Sequence, residues 1–306
     1  MTFSALLCYN DFMFCRKQNG GAEAPGFPGD TKKYAYKEGM RPLKGAVCLL
    51  FADSGGKYME LNEFFAAHPE VAVAFSGGVD SAYLLYAAKR AAKRVKAYYA
   101  CSAFQPQFEL EDAKRLAAEL DVQMQILPLN ILADAQVAEN PKNRCYYCKK
   151  RIFGAITVQA RHDGFTVLLD GTNASDDAGD RPGMKALEEL SVLSPLRLCG
   201  LTKAQIRALS KESGLFTWDK PAYACLATRI PAGQPITAEA LRRTEAAESY
   251  LFSLGFTDFR VRTVGDMAKL QLRAEQLPLL LAHREEIVKK LGSDYSSVCL
   301  DLEVRK

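Results

Sequence analysis

Histidine and tryptophan are almost missing from this chain of 306 residues, which carries three of the first and one of the second. His68, His162 and His283 show no spacing suited to a catalytic pair or a metal site, so no imidazole motif is offered and none is given a role. The lone Trp218 reads as packing rather than a stacking surface. No run of eighteen apolar residues occurs, which argues against a membrane-spanning helix. The apolar stretch Ser4 to Cys8 is short and lacks a basic flank, so no secretory signal is read and a cytoplasmic compartment is expected. Internal repeats and low-complexity segments are also missing. Charge is nearly balanced at +4, and without a broad basic domain a nucleic-acid partner is not expected. No Gly-Lys-Ser/Thr follows any glycine pair, and Gly-x-Gly-x-x-Gly does not occur beside the nucleotide-like turn described next, which excludes a Walker A loop and a dinucleotide fingerprint there.

What is present begins with Ser76-Gly77-Gly78-Val79-Asp80-Ser81, directly after the apolar run Val71 to Phe75. This reads as a strand, an anion-cradling turn and the start of a helix near Ser81. Adjacent glycines let the backbone turn sharply and let anionic oxygens approach its N–H groups, Ser76 and Ser81 add hydroxyls, and the helix N-terminus adds unpaired N–H groups and positive potential. The hexapeptide resembles the PP-loop, SGGxDS, of the ATP pyrophosphatases. These enzymes cleave ATP between its α and β phosphates and adenylate an oxygen of the substrate.

Beyond the loop, short apolar strands alternate with amphipathic helices. Strands are predicted at Val95 to Cys101, Gln123 to Leu129 and Phe165 to Leu169, and helices at Phe108 to Leu120 and Lys203 to Lys211, the latter announced by the capping pair Thr202 and Gln205. The pattern implies an α/β fold with a parallel sheet covered by helices on both faces. After Gln234-Pro235 the texture changes. A helix at Glu239 to Leu254, strands at 259–262, 269–272 and 297–304, and a helix at Gln276 to Leu291 suggest a small α+β domain. The domains expected are 59–233 and 234–306. Residues 1–58 lack sustained periodicity and read as an extension, with Met59 an alternative start.

Nine cysteines are an odd, scattered set in a chain too long to need disulfide staples, which favours reduced thiols or a metal site. Cys145 and Cys148 form a Cys-x-x-Cys at the head of a helix, flanked by Arg144, Lys149 and Lys150. Alone, the pair fits half a zinc site, a redox couple or two surface thiols. Cys225 lies in a Pro-bounded segment, Pro221 to Pro231, that should be loop, whereas Cys101, Cys199 and Cys299 lie in or beside apolar runs and read as packing. Three cysteines suit a [4Fe-4S] cluster with one open iron, while structural zinc asks for four ligands. A redox pair with Cys225 acting alone is the other reading.

Taken in order, SGGVDS, Arg144 to Lys149, Asp170 to Asp177 with Asp180 to Gly183, Ala224 to Arg229 and Arg260 to Arg262 resemble the LarE family over residues 59–306. The resemblance implies a PP-loop fold of the adenine nucleotide α-hydrolase kind. It also implies an ATP-dependent sulfur transferase acting on pyridinium-3,5-biscarboxylic acid mononucleotide, for the nickel-pincer nucleotide of lactate racemase and related enzymes. Ser76, Gly77, Gly78, Asp80 and Ser81 would hold the pyrophosphate part of ATP, with Asp80 on Mg2+. Gly171, Thr172, Asn173 and Asp176 would complete the nucleotide site at the carboxyl edge of the sheet. Arg181, Arg229, Arg260 and Arg262 would bind substrate phosphate and carboxylates. Cys145, Cys148 and Cys225 would hold the cluster that donates sulfide, in contrast to the family's other version, in which a sacrificial cysteine at the position of Cys225 gives up its own sulfur. The sulfide source is not read from the sequence, and a homo-oligomer is implied. The rival within the superfamily is a tRNA thiolase; outside catalysis, it is a nucleotide- or metal-binding module.

Overall fold

A computed structural model describes residues 59–176, 182–303 and 305. Residues 1–58, expected to be an extension, and Arg181 lie outside the described residues.

The chain opens with helix α1 (Leu61–Ala67), then strand β1 (Glu70–Ala74). Helix α2 (Val79–Ala91) starts two residues earlier than the sequence suggests, because Gly78 takes the extended N-cap conformation, so Asp80 and Ser81 lie inside the first turn. Strand β2 (Arg94–Cys101), helix α3 (Gln107–Glu119) and strand β3 (Met124–Pro128) follow the expected order. Helix α4 (Arg144–His162) carries the Cys-x-x-Cys in its first turns and leads to strand β4 (Leu168–Leu169). This strand has two residues rather than five, since Phe165 is turned into the core and its N–H closes back on Ala160. Helices α5 (Pro182–Glu189) and α6 (Lys203–Glu212) complete the first half, and α6 has the reciprocal Thr202–Gln205 capping box.

The four strands form a wholly parallel sheet in the order β3-β2-β1-β4, with Val73 level with Ala97 on one side and Leu169 on the other. Alternation along β1 decides what covers each face. Val71 and Val73 point into a core shared with α1, α2 and α3, whereas Ala72 packs with Tyr98, Ile156 and Ala160 under α4. Both faces are therefore dry, and ligands are left the sheet's carboxyl edge. Order reverses at β1, whose neighbours lead away in opposite directions, and open α/β sheets bind ligands at such a switch point.

Helix α7 (Ala238–Ser253) leads into a second, three-stranded sheet of β5 (Arg260–Val264), β6 (Met267–Gln271) and β7 (Ser297–Leu300). The β5–β6 pair is antiparallel, turned by Gly265 and Asp266 with Gly265 at φ +60°, and β6–β7 is parallel. The single helix expected at 276–291 is two, α8 (Leu277–Ala282) and α9 (Arg284–Leu291). His283 leaves helical geometry at φ −102° and ψ 10°, and its Nδ1 pairs with Glu286 of the second helix. Leu251, Phe256, Phe259, Val261 and Ile287 form the core of this half. At the other end of α7, Leu241 packs with Phe104, Leu226 and Ala227, which ties it to the cysteine segment.

Candidate functional site

Ser76 to Ser81 form a closed turn at the carboxyl end of β1. The Ser76 N–H donates to Ser81 Oγ at 3.2 Å, the two hydroxyl oxygens are 3.0 Å apart, and the Ser81 hydroxyl donates to the Gly78 carbonyl at 3.2 Å. Gly77 has φ +75°, and a Cβ there would sit 3.0 Å from the Glu109 carbonyl oxygen. Only glycine meets both demands. From β4, Gly171 lies so close to the start of α2 that its Cβ would come within 2.8 Å of the Ser81 nitrogen. Thus the two segments named from the sequence, Ser76 to Ser81 and Gly171 to Asp176, meet at the switch point.

Within the second segment most polar groups shape the turn itself. The buried Thr172 hydroxyl donates to Asp170, Asn173 Oδ1 accepts the Ser175 N–H at 2.8 Å, and Asp176 Oδ2 accepts the Asn173 N–H at 3.1 Å. Asp80 is different. Its Oδ2 accepts from Lys203 Nζ at 2.6 Å, while its Oδ1 is buried with no hydrogen-bond partner. Burial raises the Asp80 carboxyl above its ordinary range; Lys203 opposes this and nearby Asp176 adds to it. An orphaned carboxylate oxygen beside a second carboxylate is what a hard divalent cation would satisfy.

The cysteines come together from two elements. Cys145 is exposed on the first turn of α4, Cys148 is half-buried one turn on, and Cys225 caps a short 3₁₀ turn, Leu226–Arg229. Arg144 joins the two. Its Nη1 donates to the Asn140 side chain at 2.7 Å and to the Ala227 carbonyl at 3.0 Å, and the Asn140 amide bonds the carbonyls of Ile230, Pro231 and Gln234. The Leu226 N–H meets the Phe104 carbonyl beyond β2, so the cysteine segment sits over the same sheet edge as the glycine turn. Burial pushes the Cys148 thiol up to about 12, with Cys225 and then Cys145 adding to it. Burial raises Cys225 as well, against the pull of Arg144. Such thiols stay neutral near pH 7 unless a cation joins them. Among the described residues, no three His, Cys, Asp or Glu side chains converge closely enough to share one metal ion.

Three of the four arginines expected at the site hold this segment from beneath. Arg229, 1% exposed, donates to Glu248 and to the Ala224 carbonyl; Arg260 donates to the Ala222 carbonyl at 2.6 Å; Arg262 donates to the Thr228 carbonyl at 2.7 Å. Of the three, only Arg262 is more than slightly exposed. Sequence reading missed Glu248, Asn140, Lys203, Glu109 and Lys220. Glu248 carried a signal, since it interrupts the core-facing stripe Leu241, Thr244, Ala247 and Leu251 with a charge. Asn140, with φ +56° and its bonds formed ninety residues away, carried none.

Residues 70–142 match the family model described as queuosine biosynthesis protein QueC, a PP-loop family. The chain is 34% identical over 235 residues to the pyridinium-3,5-bisthiocarboxylic acid mononucleotide synthase of Lactiplantibacillus plantarum, covering 76% of this chain and 85% of that one. It belongs to the LarE family. An uncharacterized protein of Synechocystis sp. is 35% identical over 222 residues, covering 72% and 83% of the two chains. Another from Methanocaldococcus jannaschii is 27% identical over 236 residues, covering 77% and 90%. As a LarE-family member with a PP-loop the chain is an enzyme, and its parallel sheet is the fold that the sequence implied. Among the described residues, no helix is long and apolar enough to cross a membrane.

Proposed function

We propose that this enzyme adenylates a carboxylate of pyridinium-3,5-biscarboxylic acid mononucleotide at the expense of ATP and replaces its oxygen with sulfur, for the nickel-pincer nucleotide. The observation that supports the reading is the shared sheet edge: the glycine turn follows β1, and the cysteine segment is bonded to Phe104 just beyond the neighbouring strand β2. Ser76, Gly77, Gly78 and Ser81 would receive the pyrophosphate portion of ATP, together with the first N–H groups of α2. Gly171, Thr172, Asn173 and Asp176, on the loop that closes on Ser81, would complete the nucleotide site. Asp80, through its orphaned oxygen, would hold Mg2+, which neutralises phosphate charge. The substrate carboxylate attacks the α-phosphorus, pyrophosphate leaves, and the acyl-adenylate carries AMP as a leaving group that sulfide can displace.

Cys145, Cys148 and Cys225 fit a [4Fe-4S] cluster: three soft donors, two of them neutral until a cation binds, which would hold it through separate irons and so need no convergence on one ion. When bound, the cluster supplies a sulfide on its open iron. Arg262 and Arg181 would take the substrate's anionic groups, while Arg229 and Arg260 fix the segment that carries Cys225. A homo-oligomer, implied by the family resemblance, belongs to the same reading.

Iron and acid-labile sulfide, measured in anaerobically purified protein and in a Cys148→Ala variant, test the sulfur route. About four irons per chain that vanish in the variant support the cluster. No iron in either protein after reconstitution removes it, and leaves Cys225 as a sacrificial donor. Release of AMP and pyrophosphate only when the pyridinium mononucleotide is added tests the reaction, and ATP binding without turnover under anaerobic, sulfide-replete conditions would sink it.

A further inference from the structure

Lys220 stands on the segment that leads to Cys225, and its side chain reaches the glycine turn. Its Nζ lies 3.4 Å from the Gly77 carbonyl oxygen and 2.7 Å from Asp112 Oδ2 on α3, with the side chain only 14% exposed and the Phe108 ring 5.4 Å away. The main chain at Lys220 is fixed too. Arg207 of α6 donates to the Lys220 carbonyl at 2.7 Å and to the Trp218 carbonyl at 2.6 Å. The residue is therefore held at main chain and side chain, five residues before Cys225.

The peptide it holds is the one whose orientation matters most. A peptide between two glycines meets little steric resistance to rotation, and Gly77 already occupies the left-handed region. In a planar trans peptide the carbonyl and the N–H point in opposite directions. Fixing the Gly77 oxygen on Lys220 therefore turns the Gly78 N–H away, to the side of the Ser76 hydroxyl, which it reaches only at 3.4 Å. That donor is weakly engaged and stays available to an anion, and a cation against the carbonyl strengthens it by polarisation. We propose that Lys220 is a positioning residue for the nucleotide loop: it sets the Gly77–Gly78 peptide so that the Gly78 N–H faces the pyrophosphate portion of ATP. This rests on the reading that the loop holds that portion.

The test is equilibrium binding of ATP, pyrophosphate and AMP to the full chain and to Lys220→Met and Lys220→Arg. In the Met variant, ATP and pyrophosphate should bind about tenfold more weakly and AMP within about twofold of wild type, and Arg should recover most of the loss. If Lys220→Met does not fold, Lys220→Gln, which keeps a neutral donor, is judged by the same comparison. Pyrophosphate binding unchanged in the variant overturns the proposal, as does equal weakening of AMP and pyrophosphate that Arg does not restore. A wild-type chain that binds neither ATP nor pyrophosphate gives a different result, and removes the functional reading itself.

Discussion

Nε of Arg229 lies 2.7 Å from Oε1 of Glu248, with the two side chains 1% and 2% exposed. Glu248 also accepts from Arg229 Nη2 at 3.1 Å, from the Val261 N–H at 2.9 Å and from the Tyr223 hydroxyl. Such full coordination is what makes a buried carboxylate tolerable. Through Arg229 it anchors the Ala224 carbonyl beside Cys225, so a residue from α7 fixes the cysteine segment from below.

Removing one partner leaves the other charged, buried and unpaired. Glu248→Ala should therefore lose about 3–5 kcal/mol in urea unfolding, and a double Arg229→Met, Glu248→Met variant should lose less than Glu248→Ala alone. A double-variant loss equal to the sum of the losses in Arg229→Met and Glu248→Met alone would mean that the two residues are uncoupled.

Two glycines make a contrast. A Cβ at Gly171 would meet the Ser81 backbone nitrogen at 2.8 Å, whereas at Gly183 it would meet the side chain of Lys149 at the same distance. Backbone at a helix start cannot yield, but a lysine stem can. Gly171→Ala should lower stability by about 1–3 kcal/mol and abolish ATP binding, while Gly183→Ala should leave ATP binding intact. Calorimetric titration of both variants checks this.

Glu109 sits under the glycine turn, and burial raises its carboxyl to about 7, against the pull of Lys220. The folded carboxyl keeps its proton more tightly than the unfolded one. Its contribution to stability is complete below the ordinary value of 4.5 and is lost as pH rises through about 7. Glu109→Gln should thus match wild type in urea midpoint near about pH 5 and exceed it near about pH 8. A midpoint difference that does not change between the two would show that Glu109 is not the titrating group.

The orphaned Asp80 oxygen gives a metal-dependence test. Wild type should bind ATP about tenfold more tightly with Mg2+ than without, and Asp80→Asn should show little difference between the two conditions. Persistence of the full Mg2+ effect in the variant would place the cation elsewhere.

Much of the first half was legible because its signals are local. The apolar run before Ser76, the Thr202–Gln205 cap and the alternation of strand and helix each lie within a few residues, and each forms where the sequence predicts it. Boundaries failed at β4, which starts late because Phe165 is buried and tied back to Ala160, and at His283, where one helix became two. The arginines were read as ligands by their chemistry alone. That chemistry suits a backbone carbonyl as well as a phosphate, and in the fold Arg229 and Arg260 donate to the carbonyls of Ala224 and Ala222.

By itself the sequence determined the kind of fold and the kinds of chemistry, since glycine pairs, apolar periods and cysteine spacing act over one or two turns of chain. The tertiary structure alone decided that Gly171 closes on Ser81, that Asn140 and Arg144 bring Cys225 to the Cys145–Cys148 turn, and that Lys220 reaches back to Gly77. Those contacts join residues from 83 to 143 positions apart. No local pattern encodes them, because their partners are chosen by the order of strands in the sheet and by which loops that order places at one edge.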